Sequence, residues 1–326
     1  MHPRRPRPIA RLAILPLLLA GLAAPAAWPA PPRPPAEAAG PAGGPIQVSM
    51  RDVVLYPYDD VPAAVASLTG RVVAEHPPKP IVMDDPASYR IETDGAEMRL
   101  TAEGMTRLMN RHILPGGRTP IRQVEVGFEE GAISMSGRMV KLGAPVPFTA
   151  TARLEPTASG DLRVRVTSMR AAGVIPKGLI DALGLQLDTL AQPENRGVFR
   201  IEGDDMIVPV ASMFPPPRFA GRLASVRVTP QGMVAVLGTP AAPAAPLVEA
   251  ASYIYFQGGT LSFAKLTMHD TDLVIVPEDS SKPLAFSPTR YYAQLEAGHT
   301  EALPRFALAA RVKDFRASGP ARPVPR

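Results

Sequence analysis

The stretch VPFTATARLEP, residues 146–156, decides how the chain reads. Val146, Phe148, Ala150, Ala152 and Leu154 are apolar, and they alternate with Pro147, Thr149, Thr151, Arg153 and Glu155. Successive side chains of a strand point to opposite faces, so this spacing predicts a β-strand with one greasy and one wet side. The greasy side needs a cover: the protein's own core, a membrane or a ligand.

Its neighbours carry the same period. IRQVEVGFEE (121–130), AISMSGRMVKL (132–142) and DLRVRVTSM (161–169) alternate in the same way. Gly- or Pro-bearing turns separate them, which predicts an antiparallel meander with one solvated face. Upstream, SYRIETDGAEMRL (88–100) reads as a β-hairpin turning at Asp94-Gly95. It leads into TAEGMTRLMNRHILPGG (101–117), where Thr101 is an N-cap and Met105, Leu108, Met109, His112 and Ile113 form one helical stripe. Pro115-Gly116-Gly117 ends that helix. Downstream, AAGVIPKGLIDALGLQLDTL (171–190) predicts a second amphipathic helix started by Pro176, with Leu179, Ile180, Leu183, Leu187 and Leu190 on its apolar stripe.

GVFRIEG, DMIVPV and the pair RLASVRVTP/MVAVLG add further strands, as do SYIYFQGG, TLSFAKLTMHDTDLVIVPED and FALAARVKDF nearer the C-terminus. RYYAQLEA is a candidate helix there. Long amphipathic strands with two one-sided helices predict an α+β fold, a highly twisted antiparallel sheet wrapped around one or two amphipathic helices, with a further mostly-β C-terminal part.

The opening MHPRRPRPIARLAILPLLLAGLAAPA has a basic start, an apolar run and small residues, the anatomy of a signal peptide over residues 1–26. A Pro/Ala/Gly-rich linker occupies 27–45. A second spacer, GTPAAPAAP (238–246), divides a main region, 46–240, from a C-terminal part, 247–316, and 317–326 reads as a disordered tail. The expected location is periplasmic or secreted. Removing residues 1–26 takes Arg4, Arg5, Arg7 and Arg11 from the 35 basic residues and leaves 31 against 30 acidic. That near-neutral balance argues against a general polyanion binder, so no nucleic-acid partner is expected. Cysteine is absent, which removes disulfides, thiol catalysis and cysteine metal sites.

Reactive constellations are scarce. His112 lies on an apolar stripe, where a core or pocket-edge histidine is expected. His269, Asp270 and Asp272 in MHDTD alternate strand faces, a poor metal geometry. The pairs Asp59-Asp60, Asp84-Asp85 and Asp204-Asp205 read as turn-formers. There is no G-x-S-x-G elbow, H-E-x-x-H or phosphate loop, so no enzyme activity, catalytic residue, cofactor or metal is expected. A transmembrane barrel is disfavoured too, because aromatic girdles are missing and helices interrupt the strands.

The order of elements resembles a known group. MRLTAEGMTRLMNRHIL (98–114) is similar to the Leu-Thr-x-x-x-Leu-Asn helix opening of small secreted bacterial members of the tubular lipid-binding (BPI-like) superfamily, with Leu100-Thr101 opening it and Leu108 and Asn110 following at a wider spacing than the motif's own. Residues 132–183 resemble that group's strand, strand, acid-Gly turn, strand and Pro-started helix. The resemblance covers roughly residues 90–240 and implies a curved sheet cradling a helix, with a lipid or phospholipid in the groove between. On this reading the groove is lined by Met105, Leu108, Met109, Ile113, Val126, Phe128, Met135, Phe148, Ala150, Leu179 and Leu183. Thirteen methionines suit such a surface, being flexible and polarizable, although methionines also fill ordinary cores. Two other readings stay open: an envelope scaffold with a closed core and a protein partner, and a glycan or lipid hydrolase using acids near His269 or Asp204-Asp205. Peripheral membrane contact is a further expectation.

Overall fold

The computed structural model describes residues 44–77, 79, 81–83, 85–114, 121–141, 144–171, 200–202, 205–263 and 266–317. The first strands in chain order are β1 (Ile46–Tyr58), β2 (Val61–Ala74), β3 (Ile81–Val82) and β4 (Tyr89–Leu100), leading to the helix α1 (Ala102–Leu108). A meander comes next: β5 (Ile121–Glu129), β6 (Ala132–Lys141), β7 (Ala144–Pro156) and β8 (Leu162–Ala171). Beyond it are β9 (Arg200–Glu202), β10 (Asp205–Val208), β11 (Arg218–Ala220), β12 (Leu223–Thr229) and β13 (Gly232–Gly238). The C-terminal elements are β14 (Tyr253–Gln257), β15 (Thr260–Phe263), β16 (Leu266–His269), β17 (Asp272–Pro277), β18 (Ala285–Phe286), α2 (Tyr291–Ala297), β19 (His299–Ala302) and β20 (Leu308–Val312). The described chain is therefore α+β, mostly strand with two short α-helices.

The strands form three sheets. The largest runs β12-β13-β4-β2-β1-β14-β17-β20-β19, with β11 beside β4 and β18 beside β1. The second is β5-β6-β7-β8-β10-β9, and the third is β16-β15-β3. The stretch 146–156 lies in β7, at the middle of the second sheet, and its alternation is realised there. Ala150 and Ala152 pair with Met135 and Ile133 on one side and with Met169 and Val166 on the other. Phe148 stands opposite Gly137, and its ring occupies the space that a Cβ at Gly137 would need. Phe148 and Ala152 are buried, whereas Thr149 and Arg153 are exposed.

Two expectations differ from the structure. Asp94-Gly95 is not a turn: Tyr89–Leu100 is one strand of 12 residues, paired along its length with β2. The register shifts at Thr69/Gly70, and on the other edge β4 changes partner near this point, from β11 at Glu92 to β13 at Gly95. The small residue serves close approach, because a Cβ at Gly95 would land on the Thr239 carbonyl. Nor does GTPAAPAAP part the sheet. Strand β14, beyond that segment, pairs with β1 over Gln47–Arg51, so residues expected in separate regions share one sheet. The segment is pinned to it: Ser49 Oγ accepts from Ala244 N at 3.2 Å, and Tyr253 donates its hydroxyl to Ala244 O at 2.9 Å. A Pro/Ala run cannot join a ladder as a donor at every residue, so side chains of the sheet satisfy it.

Of the stretch 171–190 expected to carry a second helix, Ala171 ends β8, and 172–190, including Leu179 and Leu183, falls outside the described residues, as does the Pro115-Gly116-Gly117 stop. The largest apolar cluster covers one side of the main sheet around Ile46, Val48, Leu68, Leu237 and Ile254. A second joins the inner face of the β5–β8 meander to β12, β13 and α1 through Val126, Phe128, Phe148, Val228 and Met233.

Candidate functional site

The site is organised by α1. Thr101, in extended conformation, caps the helix by accepting from Gly104 N at 3.1 Å. Glu103 and Arg107 form an i,i+4 pair at 2.8 Å. The α-helix stops at Leu108, and Met109–Ile113 continue as a π-helical turn closed by Leu114 N donating to Met109 O at 2.8 Å. Such turns insert one residue and rotate the side chains beyond it around the helix axis, and they occur often at functional sites.

Asn110 shows the effect of the turn. Its Oδ1 accepts from Val124 N at 2.8 Å, and its Nδ2 donates to Val124 O and to Thr106 O. Strand β5 is irregular at that point: Gln123 has φ of 51° and the pairing with β6 shifts between Arg122 and Glu125. β5 is the edge strand of its sheet, so one amide side chain satisfies both backbone groups that Val124 presents to α1. Thr106 adds a bond from Val126 N to its Oγ1 at 3.0 Å. The far end of the turn is tied to the β1–β2 connection. Arg111 donates to Asp60 Oδ2 at 2.7 Å, His112 Nε2 lies 2.8 Å from Asp60 Oδ1, and the His112 ring stacks on Tyr58 at 3.7 Å. Burial pushes the Asp60 carboxyl up, but the hydrogen bonds and charges of His112 and Arg111 outweigh it and hold the group below its ordinary 3.8.

Held at both ends, α1 roofs an apolar cleft over the main sheet. Met105 and Leu108 face Val61 and Ala63 of β2, Met98 and Leu100 of β4, and Met233, Ala235 and Leu237 of β13. Val210, Met213 and Phe214 close one side, and Tyr58 and Arg99 stand among the lining residues. The space measures about 730 Å³ with its open mouth included, and its wall is almost wholly apolar. A second apolar cleft, about 500 Å³ with its mouth, lies on the inner face of the β6–β8 meander between Met135, Phe148, Ala150, Val164, Met169 and Met206.

The expected lining residues divide between these places. Met105 and Leu108 line the first cleft, and Met135, Phe148 and Ala150 line the second. Val126 and Phe128 are buried in the apolar cluster to which Met109 also contributes. Ile113 is 46% exposed and lines neither cleft. Sequence reasoning missed Met98, Met233, Ala235 and the 210–214 turn, although the alternation of MVAVLG carried part of that signal. His269 is exposed on β16 and its nearest polar partner is Thr260 Oγ1 at 3.3 Å. Among the described residues no three His, Asp or Glu side chains converge as a metal site would require.

This geometry has two measurable outcomes. Asn110→Ala orphans the buried Val124 N–H and C=O and lowers unfolding free energy by about 2 kcal/mol in urea titration. Because the folded Asp60 carboxyl ionises at lower pH than the unfolded one, its contribution is complete above pH 3.8 and is lost as pH falls through the lower folded value. Asp60→Asn therefore flattens the acid limb of a stability-versus-pH curve below that point.

No family model, curated protein or solved structure matches the chain, so the reading of the site rests on its own geometry.

Proposed function

We propose that the chain is a secreted or periplasmic, non-enzymatic lipid-binding protein, with its sheets wrapped around α1 and an acyl chain held in the cleft beneath that helix. The observation that carries this reading is the lining of the cleft. Met98, Met105, Met213 and Met233 surround a space with an open mouth and an almost wholly apolar wall. Unbranched thioether side chains adapt to ligands of varied shape. Burying hydrocarbon is worth roughly 0.8 kcal/mol per CH₂, so about fifteen carbons supply on the order of 12 kcal/mol gross, before ordering costs. Affinity on that scale needs no charged anchor. The polar groups at the end of the helical segment fit a structural task, since Asp60 engages both Arg111 and His112.

The resemblance of residues 98–114 to the lipid-binding helix opening supports the same reading, and the structure gives its Asn110 a concrete job in fixing the helix that roofs the cleft. Native mass spectrometry of protein purified from its cell envelope, with solvent extraction afterwards, tests the proposal. A co-purifying phospholipid or fatty acid is expected. In the purified chain, Ala235→Phe narrows the cleft and weakens uptake of a fluorescent fatty acid by about tenfold, whereas Leu247→Phe, at a half-exposed position outside the cleft, leaves it unchanged. Ligand-free protein together with no fatty-acid uptake would overturn the reading in favour of a closed core.

A further inference from the structure

The wet face of the meander carries a pattern that a merely solvated surface does not need. Strand register places Arg122 directly opposite Arg138 and Arg153 directly opposite Arg165. Arg170 lies on the same face, opposite Thr149, which in turn stands opposite Ser136. Arg165 is balanced by Asp205 and Glu155 and Arg122 is engaged elsewhere, which leaves Arg138 and Arg153 as the cross-strand arginines without a carboxylate among the described residues. Of the carboxylates on this face, Asp205 is held by Arg163 and Arg165 and Glu155 by Arg165, while Glu125 and Glu129 stand exposed on β5. Glu125, opposite Ser136, is the acid nearest to Arg138 in register, and the two form no ion pair. Arg138, Arg153 and Arg170 are exposed, and none is paired with a carboxylate among the described residues. Val140, two residues beyond Arg138 and on the same side by alternation, is 41% exposed.

We propose that this outer face of the second sheet docks on a bilayer surface bearing anionic phospholipid headgroups. Charge complementarity selects an anionic partner, because each arginine near such a surface contributes favourably within a Debye length. The spread of arginines over three strands, with Ser136 and Thr149 hydroxyls between them, fits an array of headgroups, and Val140 fits the adjoining apolar layer. Single-stranded nucleic acid fits less well, since stacking needs aromatic rings and Phe128 and Phe148 are buried on the opposite face. Docking of this face is independent of the cargo reading and is tested separately from it.

Co-sedimentation of the purified chain with vesicles of phosphatidylcholine alone, and of equal parts phosphatidylcholine and phosphatidylglycerol, is the experiment. The chain is expected to partition to the mixed vesicles only, and to release as salt rises. R138E/R170E lowers that partition by about tenfold or more, while R218E/R305E, the same charge change on exposed arginines elsewhere, leaves it near the starting value. R138E alone weakens vesicle binding while leaving the thermal midpoint and fatty-acid uptake near their starting values, a combination that damage to the fold does not produce. Fatty-acid uptake is unchanged in every one of these variants, which separates docking from cargo binding. Equal sedimentation with both vesicle types, or indifference to R138E/R170E, would overturn the proposal. Retardation of duplex DNA without any vesicle binding would overturn it in favour of a nucleic-acid surface.

Discussion

The two-way hydrogen bond between the Asn110 amide and the backbone of Val124 is the interaction on which the arrangement of the site depends. A strand at the edge of a sheet presents donors and acceptors that must be satisfied. Here β5 is that edge, irregular at Gln123 and Val124, and the partner that satisfies it is a side chain from the helix at the end of β4 in the main sheet. The free edge of β5, satisfied by Asn110 and Thr106, is therefore what attaches one sheet to an element of the other. The π turn supplies the rotation: Asn110 faces β5 while Arg111 and His112 reach Asp60 at the β1–β2 connection. With both ends fixed, Met105 and Leu108 are held above β2, β4 and β13 rather than collapsing onto them, and the cleft is the space that remains. Methionines on opposite walls keep that space adaptable.

The meander has a complementary division of labour. Its inner face joins α1, β12 and β13 in a shared apolar cluster, and its outer face exposes Arg138, Arg153 and Arg170. The same period-two pattern that buries Phe148 exposes Arg153, so any change of register would exchange the two faces. Phe148 stacked over Gly137 resists such a slip, because only glycine leaves room for the ring at that position.

Much of this fold is legible from local pattern. Strands β5 to β8, the Thr101 cap and the stripe of α1 each arise from residue spacing within a few turns or strands, where side-chain direction is set by the backbone alone. The parts that are not legible depend on distant partners. Asp94-Gly95 looks like a turn in sequence, yet its glycine exists to admit the Thr239 carbonyl, which no local rule announces. The Pro/Ala run at 238–246 has the composition of a spacer, and only the positions of Ser49 and Tyr253 show it pinned to the sheet that its composition suggests it divides. Of the cleft, the helix side is visible in the stripe, but its floor comes from β2, β4 and β13, brought together by pairing across long stretches of chain. Asn110 stands out only through a resemblance; nothing in its neighbourhood signals that Val124 needs it.

The central claim is that the space beneath α1 holds an acyl chain, and methionine methyl groups report on it directly. With the methionine methyls labelled with carbon-13 and an unlabelled fatty acid added, isotope-filtered NMR detects which methyls touch the ligand. Intermolecular contacts from Met98, Met105, Met213 and Met233, with none from Met50 in the core outside the cleft, are the predicted result. A bound fatty acid that shows no contact to those four methyls would contradict the account.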